Sequence, residues 1–166
     1  MTRLDTSERL VRVRRLMMDL VGPDDGGTLL TLVEVLDDVD FFERVFGFIQ
    51  ECPVVDLVSG SGHQEWELRD AEQLRQRVRE VDRDTALGML VRIASTTLAY
   101  GGKRHWSSDV AQETVGRLAQ LLGAEARWWT NSDLRSGNPV TRYTFDALVI
   151  GRGGGVGVAV LAVDED

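Results

Sequence analysis

The chain has 166 residues, 43% hydrophobic and 28% charged, with 27 acidic against 19 basic side chains and a net charge of −8. This composition supports a packed core and excludes disordered, collagen-like and low-complexity classes, and the length points to a single domain spanning 1–166. The negative balance disfavours nucleic acid: the one basic strip, Arg9, Arg12, Arg14 and Arg15, is matched by the five acids of residues 1–27.

In chain order, Leu10, Val13, Met17 and Leu20 fall at helical spacing over residues 7–21, with Asp5 and Glu8 as a capping signal. Gly22 to Gly27 is a loop by composition. Residues 28–51 are the most apolar long stretch and predict a central, largely buried helix. Asp40 and Glu43 have capping-box spacing, so that helix divides in two if it breaks near Val39, and Cys52-Pro53 ends it.

Residues 54–69 predict a hairpin around Ser59-Gly60-Ser61-Gly62. Asp70 opens a helix carrying Leu74, Val78 and Val81, and Asp84 opens another that runs to Gly101-Gly102. A third starts at Ser107 or Ser108 and ends at Gly123. The last third is β-rich. A strand covers 126–130, and the runs 142–150 and 156–163 form a hairpin around Gly151 to Gly155. The fold class is α+β: N-terminal and central helices pack on a C-terminal antiparallel sheet of three or more strands, with the 54–69 hairpin as an extra.

No complete catalytic set emerges. The glycine run does not fit the dinucleotide fingerprint: counted from Gly151 the sixth position is Val156, and a strand follows instead of a helix. One cysteine, Cys52, and two histidines, His63 and His105, fall short of a zinc ligand set, so no metal and no cofactor is expected. Ser61 and His63 lie in a turn sequence, without a nucleophile-elbow pattern. A single cysteine forms no intrachain disulfide. Arg12, Arg14 and Arg15 interrupt the first hydrophobic stretch, and no window is long and apolar enough to span a bilayer. Cytoplasmic, with no membrane role, is the simplest expectation.

Two features stand out. Residues 28–52 carry six acids and one base, and Glu34, Asp37, Asp38, Asp40 and Glu43 interleave with the apolar stretch. They form either a solvated helix face or a negative surface for a basic partner. Trp128 and Trp129 are adjacent, so in a strand they point to opposite faces. One of them is an interface anchor if its face is open, with Asp133, Asp146 and Asp164 to Asp166 adding charge nearby. These features suggest a protein-binding module: an acidic inhibitor or immunity-type protein that occludes a basic partner such as a toxin. The alternative is a small-molecule site or enzyme between helices and sheet, drawing on Asn131, Arg142, Tyr143, Asp146, His63 and His105. A third arrangement is a homo-oligomer joined edge to edge through the valine-rich last strand.

Overall fold

The computed structural model describes residues 4–21, 29–51, 68–96, 98, 107–132, 137–141 and 145–164. Among these residues, five helices and five strands follow in the order α1 (Thr6–Val21), β1 (Leu29–Val35), α2 (Phe41–Glu51), α3 (Ala71–Arg77), β2 (Arg79–Val81), α4 (Arg83–Ser95), α5 (Ser108–Leu122), β3 (Arg127–Thr130), β4 (Phe145–Gly153) and β5 (Val156–Asp164). All strand pairs are antiparallel, in the spatial order β1-β5-β4-β3-β2. The fold is α+β. The hairpin expected at 54–69 lies outside the described residues except for Leu68 and Arg69, which lead into α3.

The long helices form where their sequences supply both a stripe and caps. Val13, Met17 and Leu20 are the buried stripe of α1, and Asp5 accepts the Glu8 amide at 2.8 Å. Ser107 caps α5 through the Val110 amide at 3.3 Å, and Gly123 closes it at φ +92°, a left-handed value that suits glycine. Asp82, rather than Asp84, caps α4 by accepting the Thr85 amide at 2.7 Å. That helix ends at Ser95, with Thr96 extended, short of the predicted Gly101. Asp70 caps α3 as expected, yet the helix stops at Arg77. Val78 is its C-cap, and Val81 belongs to β2.

The main correction concerns residues 28–51. The first half is strand β1, and only the second half is helix α2. A run such as Leu29-Leu30-Thr31-Leu32-Val33 shows no alternation because both of its faces are covered. Leu29 and Val33 join one core; Leu30, Leu32 and Leu36 join the other. Asp40 starts α2 as predicted, accepting the Phe42 amide at 3.0 Å.

The sheet separates two cores. One face carries α1, α4 and α5, and the other carries α2 and α3. The register aligns Val33, Val158, Gly151, Trp128 and Val81 across all five strands toward the first face. The adjacent row, Leu32, Ala159, Ile150, Trp129 and Glu80, faces the second. The six-membered ring of Trp128 lies on Gly151, where an added Cβ would sit 2.5 Å from it, so no larger residue fits without displacing the ring. Of the glycine-rich run, only Gly154 and Gly155 form the turn, at φ +61° and +80°. Two successive positive φ values match a two-residue hairpin turn of type I′. The valine-rich β5 lies between β1 and β4, so it cannot pair with a second copy; among the described residues the sheet edges are β1 and β2.

Candidate functional site

The acidic residues gather where β1 hands over to α2. Glu34 sits near the end of β1, Asp37 and Asp38 form the corner, Asp40 caps α2, and Glu43 lies in its first turn. Several have local work. Asp37 accepts the Val39 amide at 2.9 Å and so shapes the turn, and acids at a helix N-terminus favour the backbone dipole. Arg44, one turn into α2, reaches back to Glu34 at 3.5 Å and Asp37 at 3.8 Å. Arg75 of α3 pairs with Asp40, and with Glu72 at 3.2 Å.

Among the described residues, six carboxylates (the five acids and Glu72) against two guanidiniums leave four negative charges at this corner. Glu34 and Asp40 are about one-third exposed and each faces an arginine. Asp37, Asp38 and Glu43 are exposed, and the side chains of Asp38 and Glu43 make no hydrogen bond or ion pair among the described residues. Ion pairs this exposed hold little energy, so Arg44 and Arg75 temper the negative potential without removing it.

The tryptophans do point to opposite faces, and both are covered. Trp128 is 2% exposed among the aliphatic side chains beneath α4 and α5. Trp129 is 9% exposed and meets Phe42 edge-on, with ring centroids 5.4 Å apart. Arg127 stacks over Trp129 at 5.1 Å, and Arg75 over Phe42 at 5.3 Å. Arg127 also makes a two-pronged contact with Glu80 at 2.7 and 2.9 Å, and this hydrogen-bonded pair holds the Glu80 pKa below its ordinary value. Both tryptophans are therefore core residues, and neither is an open anchor. Asp133 lies outside the described residues. Asp164 is buried at the end of β5, where it accepts the Leu98 amide at 2.5 Å, so it adds no surface charge.

Of the alternative set, Asn131 and Asp146 come together. Asp146 accepts from Asn131 Nδ2 at 2.7 Å, the Val140 amide at 3.0 Å, and the Thr141 amide and hydroxyl at 2.8 Å each. Burial pushes its pKa up, and these four donors oppose the rise. Asn131 also donates to the Asn138 carbonyl at 2.9 Å and accepts the Leu148 amide at 2.7 Å. This network fastens the 137–141 segment to β3 and β4. Arg77 donates to the Pro139 carbonyl at 2.5 Å and ties the same segment to α3. An open cleft of about 420 Å³ lies alongside, lined by Gln76, Arg77, Thr130, Asn131 and Asn138. Asn131 and Asp146 spend their hydrogen bonds on each other, on the loop and on β4 rather than on the cleft. Arg142, Tyr143, His63 and His105 lie outside the described residues.

The basic strip of α1 is partly engaged: Arg9 donates to the Gly154 carbonyl at 2.5 Å and Arg12 pairs with Glu8 at 2.7 Å. Among the described residues no helix is long and apolar enough to cross a membrane. Comparison with protein-family models, with curated proteins and with solved structures finds no match to this chain.

Proposed function

We propose that this chain is a protein-binding module whose acidic β1–α2 corner receives a basic partner. Its most concrete form is a cytoplasmic inhibitor or immunity-type protein that occludes a toxin-like target. The supporting observation is the exposure of Asp37, Asp38 and Glu43 at a corner where, among the described residues, carboxylates outnumber guanidiniums by four. Carboxylates at this density attract cationic surfaces that otherwise bind phosphates, and they speed encounter more than they hold the complex.

The test is affinity capture on the immobilised protein from the source cell's lysate, with elution by rising salt and identification by mass spectrometry. The combined variant Asp37→Asn, Asp38→Asn, Glu43→Gln runs alongside. The expected result is a stoichiometric basic protein released by salt, whose association with the variant is about tenfold slower at low ionic strength. An association rate that does not change with these three neutralisations refutes the acidic-surface reading.

A further inference from the structure

The backbone of β1 has a defined free side. The Leu36 amide donates to the Gly155 carbonyl at 2.9 Å, continuing the register in which Val35 lies opposite Val156. Backbone groups of an antiparallel strand alternate sides, so Leu36, Glu34, Leu32 and Leu30 turn theirs to β5. Those of Thr31, Val33 and Val35 point the other way, along the outer edge of the sheet. Among the described residues nothing pairs with them, and β1 is the last strand on that side. The seven-residue strand contains no proline and no lysine, two of the usual devices that blunt an edge, and Glu34 is its one charged residue.

Charge selects the occupant. The edge leads from Glu34, past the 42% exposed Val35, to the Asp37–Asp38 turn. A strand laid there faces carboxylates at its end, and opposite charges on neighbouring strands attract. A second copy of this chain would bring its own acids and a net charge of −8. We propose that an extended segment of the partner, with Arg or Lys at alternate positions, adds to β1 as a further strand. It hydrogen-bonds to Thr31, Val33 and Val35 and sets a cation against Glu34 and the Asp37–Asp38 turn. The proposal rests on the acidic corner being a partner surface.

The test uses the full ¹⁵N-labelled chain and a short, end-blocked peptide alternating Arg and Val. Two controls accompany it: the matching Glu–Val peptide, and an Arg–Val peptide with alternate backbone nitrogens methylated, which keeps the charge but cannot pair as a strand. The Arg–Val peptide is expected to slow amide exchange at Thr31, Val33 and Val35 by about tenfold, with Leu32 and Glu34 little changed. The methylated peptide is expected to bind about tenfold more weakly. Val35→Pro, which removes one outward amide where an edge tolerates proline, weakens the Arg–Val peptide too.

Charge-dependent binding without protection of the three amides, matched by the methylated peptide, overturns strand addition while leaving the acidic surface standing. Equal binding of the Glu–Val peptide, or no binding of the Arg–Val peptide at about 1 mM, overturns both. Protection of the three amides in the free chain also overturns the proposal. If that protection is independent of concentration, another part of the chain occupies the edge; if it grows with concentration, a second copy does.

Discussion

The two faces of the sheet are closed by different means. Under α1, α4 and α5 the core is aliphatic apart from Trp128, with the small Ala86, Ala94, Ala111 and Ala119 of α4 and α5 buried in it. Under α2 and α3, helices of 11 and 7 residues cover the same sheet, and Phe41, Phe42 and Trp129 fill the space. Arginines lie over the Phe42 and Trp129 rings, and acids hold the arginines. The first face is sealed by shape. The second face is finished by charge, and its charged rim continues into the acidic corner. The corner thus belongs to the packing of α2 and α3 as well as to the surface.

The sharpest way to break that contrast is to remove the two tryptophans in turn. Trp128→Ala is expected to cost about 3–5 kcal/mol, because nothing can collapse into the space between Gly151 and the helices. Trp129→Ala should cost about 1 kcal/mol less, since its ring edge lies at the rim under Arg127. Equal losses in urea unfolding would mean that both faces are sealed alike. Gly151→Ala is expected to cost about 1–3 kcal/mol by forcing Trp128 aside, and much of that loss should vanish when combined with Trp128→Leu. Additive losses would place the strain elsewhere.

Asp146→Asn is expected to cost about 1–3 kcal/mol, because with its oxygen toward the Val140 and Thr141 amides its nitrogen meets Asn131 Nδ2, donor against donor. Burial raises the Asp146 pKa, so the folded chain holds this proton more tightly than the unfolded one. Its contribution is therefore largest below the unfolded pKa and declines as pH rises through the folded value. The stability gap between the parent chain and the variant should narrow across that window. A gap that does not vary with pH would contradict the assignment. Asp82 has the opposite sign: the Thr85 cap lowers its pKa, so its contribution is present above the unfolded pKa and fades as pH falls through the folded value.

Smaller effects separate packing from recognition at the corner. Arg75→Met should cost about 0.5–1 kcal/mol, through loss of the contact with the Phe42 ring and of an exposed ion pair. The Asp37→Asn, Asp38→Asn, Glu43→Gln variant should change stability by less than about 0.5 kcal/mol, since the side-chain amide introduced at position 37 keeps an oxygen to accept the Val39 amide. A larger loss on thermal unfolding would show that these acids serve the fold before any partner.

Much of the architecture was legible in local signals. Asp5, Asp70 and Ser107 start helices where their positions said they would, and Gly123 ends one. The β4–β5 hairpin follows from two β-rich runs around a glycine turn. The fate of residues 29–35 was not legible, although Thr31, Val33 and Val35 were a hint, because an apolar run covered on both faces has no period to betray it. At three residues, β2 is too short to signal itself and exists through its pairing with β3. The acids were visible in the sequence, but their place at a strand-to-helix corner was not. The arginines that answer them, and the cover over both tryptophans, were not visible.

By itself, the sequence determined the helices with strong stripes and caps, the last hairpin and the location of the negative charge. Helical bonds and tight turns join residues a few positions apart, so local chemistry suffices to specify them. Tertiary structure decided that residues 29–35 form an edge strand, that β5 is central, and that Trp128 and Trp129 serve opposite cores. A strand's hydrogen bonds and the cover on its faces come from distant segments, and no local pattern states which segments those will be.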